Sequence, residues 1–210
     1  MNIVGSTSKQ TCRFLALGDS YTIGENVNEG ERWPVKLVKM LRMEGVAIDD
    51  PLIIAKTGWT TDELARAIDE TEPQGPFDLV SLLIGVNNQY RGRSVDEYRI
   101  DFRMLLERAI AFAAGEPSHV VVLSIPDWGA TPFAEGRNRD QIAAEIDLFN
   151  AINADEAYVA GVHYVDITPS TRSAQVDHSL LAADGLHPSG KLYTEWAEAV
   201  LPKAYQILRH

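Results

Sequence analysis

The sequence predicts an α/β fold: a three-layer α/β/α sandwich built on a five-stranded parallel sheet. Three observations predict it. Five short apolar runs recur along the 210 residues, each about as long as a strand. Amphipathic stretches at helical spacing separate them, and strands that alternate with helices pair in parallel with both faces covered. The first three runs stop at glycine turns, where an open sheet of this kind presents reactive groups.

The first run, Cys12 to Leu17, breaks at Gly18-Asp19-Ser20-Tyr21 and leaves Ser20 at its carboxyl end. From there to Pro34 the chain reads as polar loop. Trp33, Leu37, Val38 and Leu41 then recur at helical spacing, with Pro34 in a first turn where its missing N–H has no partner to lose. Leu52-Ile53-Ile54-Ala55 reads as a buried strand that stops at Thr57-Gly58-Trp59. Thr60 and Glu63 form a capping box that opens a helix through about Glu70. Asp78 to Ile84 is the third strand, ending in Gly85-Val86-Asn87-Asn88. Ser94 and Glu97 repeat the cap ahead of the stripe Val95, Tyr98, Phe102, Leu105, Leu106 and Ala109. His119 to Ser124 is the fourth strand, closed by Ile125-Pro126-Asp127-Trp128-Gly129. A helix follows from about Asn138 to Ala160, with Gly161 placed to end it, and Val162 to Ile167 is a short fifth strand.

Thr168 to Ser189 has weak periodicity and reads as a loop carrying Asp184-Gly185-Leu186-His187-Pro188. The last helix buries Leu192, Tyr193, Trp196, Ala197 and Val200, and Pro202 is expected to kink or interrupt it. Without repeats, low-complexity tracts or linkers, residues 1–210 read as a single domain. Right-handed crossovers limit the topology to a few options; in the flavodoxin-like order 2-1-3-4-5, the one expected, the ligand crevice opens between the carboxyl ends of strands 1 and 3. Those ends are Ser20 and Asn87.

Composition narrows the function. Against 30 acidic residues stand 19 lysines and arginines, a formal charge of −11, which argues against nucleic acid or an anionic membrane surface as partner. Cys12 is the single cysteine and reads as a small buried hydrophobe, so no disulfide forms within the chain. No basic segment with a long apolar run opens the sequence, and no stretch approaches the roughly 20 apolar residues of a membrane span. A soluble, cytoplasmic protein without membrane insertion is expected, although a secreted protein freed of its signal peptide would read the same.

Ser20 becomes chemically interesting only with a base to take its proton and a third group to orient that base. Of the five histidines, His119 and His163 fall at or in strands, His178 lies in the late loop and His210 is terminal. His187 follows Asp184 by three residues, close enough for the carboxylate to hold Nδ1–H and leave Nε2 free. Read alone, that segment is equally a capped turn. Three donors fall just past the strand ends that border the crevice: the N–H of Ser20, the N–H of Gly58 and the side-chain amide of Asn87. One donor aimed at a developing oxyanion is worth roughly 3 kcal/mol in the transition state. Taken singly, Gly58 and Asn87 are turn residues.

Gly18-Asp19-Ser20, Gly58, Gly85-Val86-Asn87 and Asp184-Gly185-Leu186-His187, in that order, resemble the four sequence blocks of the SGNH hydrolases, also called GDSL esterases and lipases. The resemblance spans nearly the whole chain. It implies Ser20 as nucleophile, His187 as base, Asp184 as its orienting acid, and Ser20, Gly58 and Asn87 as the oxyanion hole. It also implies a five-stranded parallel sheet and neither metal nor organic cofactor. Two positions depart from the pattern: Tyr21 replaces a frequent leucine, and Asn88 stands where many members have an aspartate. Asp19 is expected to hold the loops through hydrogen bonds. Ser20 is expected within hydrogen-bond reach of His187.

The expected partner is a small-molecule ester. Trp59, Asn88, Tyr90 and Trp128 are expected at the substrate, Phe133 in ordinary loop packing, and Arg91 and Arg93 in a solvated loop. A small water-soluble ester fits the aromatic residues best. A lysophospholipase or thioesterase with a longer acyl pocket, or a carbohydrate O-acetylesterase, are alternatives within the class. A non-catalytic phosphate-binding module is the alternative outside it, but the Gly18 to Gly24 loop lacks the Gly-Lys-Ser/Thr of a P-loop and the spacing of a dinucleotide fingerprint.

Overall fold

The computed structural model describes residues 11–209, so the readings made of the amino terminus and of His210 lie outside it. Strands β1 (Phe14–Asp19), β2 (Leu52–Lys56), β3 (Leu79–Leu83), β4 (Val120–Leu123) and β5 (His163–Val165) form one sheet in the order β2-β1-β3-β4-β5. All neighbours are parallel. Leu17 lies opposite Ile54 on one side and Leu82 on the other, and Leu123 lies opposite Val165. Every carboxyl end therefore points to the same edge.

The helices are α1 (Ser20–Ile23), α2 (Trp33–Met43), α3 (Thr61–Thr71), α4 (Val86–Tyr90), α5 (Val95–Phe112), α6 (Arg139–Ala160), α7 (Thr168–Arg172) and α8 (Gly190–Leu208). Packing separates them into two layers: α2 lies against α8, while α3, α5 and α6 pack in succession. Because both faces are covered, β1, β3 and β4 are buried at every position, which explains their unbroken apolar runs. β2, expected to be buried, is instead a half-exposed edge with Leu52 41% exposed. An apolar run does not say on how many sides it has neighbours.

Local signals set the long helices. The N–H of Thr60 donates to Glu63 Oε2 at 2.9 Å, and the Glu97 N–H donates to Ser94 Oγ at 3.2 Å. Asn138 Oδ1 accepts from the Gln141 N–H at 3.1 Å to open α6, and Gly161, at φ 73°, closes it in the left-handed conformation glycine tolerates. Arg99 and Arg103 both reach the buried carboxylate of Glu156, at 2.7 Å each, and tie α5 to α6. Short helices escaped the sequence reading. α1 and α4 occupy stretches expected to be turns, and α7 with two 3-10 turns fills much of the expected loop after β5. Elements of four or five residues are too short to display a period.

Pro202 does not interrupt α8, contrary to expectation. Trp196 and Val200 before it and Ala204 and Ile207 after it are all buried, so packing on both sides outweighs the hydrogen bond that proline removes. Among the described residues no helix is long and apolar enough to cross a membrane.

Candidate active site

The edge that gathers the carboxyl ends of the strands also gathers the expected chemistry. Ser20 is the first residue of α1 and is buried. Asp19 caps that helix, its Oδ1 accepting from the Tyr21 N–H at 3.0 Å, and Gly24, at φ 73°, ends it one turn later. A strand that passes directly into a capped turn holds Ser20 at a fixed point above the sheet. Asp19 is itself fully buried, and that burial raises its carboxyl from 3.8 to about 7, with hydrogen bonds from Tyr21 and Asn87 offsetting only part.

On the far side, Asp184 folds its own loop. Its Oδ1 accepts the N–H groups of Leu186 and His187, each at 3.0 Å, while Gly185 takes φ 66° in the turn. Oδ2 meets His187 Nδ1 at 2.6 Å. Burial pushes the Asp184 carboxyl up, but the hydrogen bonds from His187 and the two backbone N–H groups outweigh it and hold the carboxyl below its ordinary value. With Nδ1–H held by the carboxylate, Nε2 is the imidazole atom left for proton transfer. Asn26, unremarked in the sequence, donates to the same Oδ2 at 2.6 Å. It comes from the loop after α1 at φ 61°, and no local pattern links it to a residue 158 positions away.

Tyr21, the departure from the familiar leucine, packs its ring 5.1 Å from that of His187 and 6.2 Å from that of Trp196. Among the described residues no hydrogen bond joins Ser20 Oγ to His187, although direct reach was expected; both side chains line one cleft. Such contacts are often long before substrate binds and tighten around it.

Of the expected oxyanion donors, Ser20 and Asn87 line the cleft and Gly58 is not among its lining residues. Gly58, at φ 85°, makes no hydrogen bond through its N–H among the described residues, while its carbonyl accepts from Arg91 at 2.6 Å. Asn87 Nδ2 donates to the Trp59 carbonyl at 2.9 Å and makes a long 3.4 Å contact with Asp19 Oδ2. Trp59 thus meets the site through its backbone. Asn88, expected at the substrate, is fully buried: Oδ1 accepts from the Thr61 N–H at 3.1 Å and Nδ2 donates to Thr61 Oγ1 at 2.8 Å. Its amide joins α4 to the start of α3, which leaves it no group for a substrate.

A cleft of about 140 Å³ lies between Ser20, Asn87 and His187. Tyr90, Trp128 and Phe133 wall it, with Phe133 in the wall rather than in plain loop packing. The three rings pack at centroid distances of 5.2 to 6.3 Å. Trp128 is fixed from behind, its Nε1–H donating to Gln89 Oε1 at 2.7 Å while Gln89 Nε2 donates to Glu145. A larger cavity of about 410 Å³ opens near Cys12, Asp78 and His119, at the amino ends of the strands, away from the serine and from the edge where such sheets bind ligands. Among the described residues no group of three or more histidine, cysteine or acidic side chains is placed to hold a metal ion.

A family model described as GDSL-like lipase/acylhydrolase matches residues 16–194. The chain belongs to that family. Among solved structures, this family member is similar to TesA at 20% identity and a TM-score of 0.72, covering 93% of this chain and 99% of that one. It is also similar to the psychrotrophic esterase EstA from Pseudoalteromonas sp., at 18% identity, TM-score 0.71 and coverage of 94% and 99%. Axe2, an acetylxylan esterase from Geobacillus stearothermophilus, aligns at 20% identity, TM-score 0.69 and coverage of 91% and 93%. At these identities the likeness is one of fold. A sequence search of curated proteins gives no match. As a member of the GDSL-like lipase/acylhydrolase family the protein is a hydrolase, built on a five-stranded parallel sheet.

Proposed function

We propose that residues 1–210 form one catalytic domain that hydrolyses small carboxylic esters through an acyl-enzyme on Ser20. The observation that carries this reading is the 2.6 Å contact between Asp184 Oδ2 and His187 Nδ1, with His187 and Ser20 lining one cleft. In the first step His187 Nε2 takes the Ser20 proton as Oγ attacks the ester carbonyl, and Asp184 stabilises the imidazolium. The N–H groups of Ser20 and Gly58 and the Asn87 amide bind the oxyanion; Asn87 exchanges its long contact with Asp19 for the substrate oxygen. His187 returns its proton to the leaving alcohol. Water then attacks the acyl-enzyme by the same relay, releasing the acid and Ser20.

Cleft size supports a small substrate. The volume of about 140 Å³ is close to the roughly 150 Å³ that holds a benzene ring in an engineered apolar cavity. It suits a short acyl chain or one ring better than a long acyl chain. An acetylated sugar is the second reading, favoured by the exposed faces of Tyr90 and Phe133 and by the acetylxylan esterase among the structural relatives. The test is a panel of nitrophenyl esters of rising chain length with an acetylated xylo-oligosaccharide, run beside Ser20→Ala and fluorophosphonate labelling. Turnover that peaks at acetate to butyrate, lost at least about a thousandfold in Ser20→Ala together with the label, is expected. A folded Ser20→Ala protein with full activity would overturn the assignment.

A further inference from the structure

The cations beside the cleft are not equivalent. Arg91 contacts the carboxylate of Glu63 at 3.2 Å, and Arg93 that of Asp62 at 2.6 Å. Arg137 has no acidic partner within ion-pair distance among the described residues, in a chain whose formal charge is −11. Its guanidinium lies 5.5 Å from the centroid of Tyr90 and 5.4 Å from that of Trp128, two rings of the cleft wall, and Nη2 donates to the Tyr90 hydroxyl over 3.4 Å. Arg137 is exposed. Stacking holds a guanidinium by its face and leaves the N–H groups at its edge to bond an anion in plane.

We propose that Arg137 forms an anion subsite beside the aromatic wall of the cleft, so that the protein selects esters bearing a carboxylate or similar anionic group. The inference rests on the esterase reading and narrows its substrate class. Two facts converge on it: the position against two wall rings and the missing acidic partner. In a strongly acidic protein, an anionic substrate is repelled by the field as a whole, and a local unpaired cation is what reverses that at the site.

The test compares esters that differ only in charge: 4-acetoxybenzoate against 4-acetoxybenzamide for an anion on the alcohol side, and monomethyl succinate against methyl succinamate for one on the acyl side. The ratio of kcat/KM, anionic over neutral, should fall about two- to fivefold in Arg137→Gln for at least one pair, the scale of one exposed charge contact. It should fall further in Arg137→Glu, largely persist in Arg137→Lys and shrink in wild type at high salt. Hydrolysis of the neutral esters should fall less than that of their anionic partners, so the ratio carries the test. Equal ratios in wild type and Arg137→Gln for both pairs overturn the proposal, as does a loss shared equally by neutral and anionic esters. Calorimetric titration with phenylacetate and phenylacetamide gives a readout that needs no turnover. Wild type should bind the acid more tightly and Arg137→Gln should not. Identical binding of the two by wild type overturns the subsite, whereas preference for phenylacetate with no ester hydrolysed overturns the esterase reading and leaves the subsite standing.

Discussion

Replacing Asp19 by asparagine should stabilise the protein increasingly as the pH rises. Asp19 is fully buried, accepts the Tyr21 N–H at 3.0 Å and has only the long 3.4 Å contact with Asn87 besides; among the described residues no cation lies within ion-pair distance. Burial raises its carboxyl from 3.8 to about 7. Between those values the folded protein holds a proton that the unfolded chain has released, so each unit of rising pH costs about 1.4 kcal/mol of stability. The contribution is whole below about pH 4 and is lost as pH climbs through 7. Asparagine does not titrate. Turning an amide nitrogen towards Asn87 carries a penalty, but the same one at every pH, so it cancels from the pH dependence. From pH 5 to pH 8 the stability difference should therefore move by roughly 3 kcal/mol in favour of Asp19→Asn. Urea unfolding of both proteins at pH 5, 6, 7 and 8 measures it. Parallel stability curves would refute the reasoning, because they would mean that Asp19 ionises in the fold as it does in water.

Other perturbations test other parts of the site. Gly85 sits at φ 131°, and a Cβ there would overlap the Tyr98 hydroxyl, which lies 2.9 Å from the Ile84 carbonyl and 2.6 Å from Asn153 Oδ1. Gly85→Ala should cost about 3 kcal/mol or more in urea unfolding and weaken Asn87 with it. Trp128→Ala removes a buried wall of the cleft and the partner of Gln89. It should cost about 3 kcal/mol in stability and raise octanoate over acetate ester hydrolysis about tenfold in a chain-length series. Asn26→Ala deletes one donor to Asp184 Oδ2 and should lower kcat about fivefold with KM unchanged, since Asn26 orients the acid without lining the cleft.

Much of the fold was legible because apolar runs and caps are local. The strand positions, the Thr60, Ser94 and Asn138 caps and the Gly161 stop follow from residues a few positions apart, and crossover handedness narrowed the strand order. The residues of the site were legible in part for the same reason: Asp184 and His187 are three apart, and Ser20 and Asn87 each follow a strand. What the sequence could not supply is every property that depends on neighbours from elsewhere in the chain. β2 and β3 are alike as apolar runs, yet only β3 has a strand on both sides. Asn88 looks as available as Asn87 until Thr61 takes up its amide. Asn26 meets Asp184 across 158 residues, and Tyr90 meets Trp128 and Phe133 from α4, much earlier in the chain. Arg91, Arg93 and Arg137 read alike in the sequence, and only folding brings Glu63 and Asp62 to the first two while seating the third on aromatic rings. The sequence by itself determined the sheet and which residue types reach its reactive edge, because periodicity and turn chemistry act over one or two turns of chain. The tertiary structure decided the size of the cleft, the burial of Asp19 and which of Arg91, Arg93 and Arg137 has an acidic partner, because volume, desolvation and charge pairing are set by contacts between distant segments.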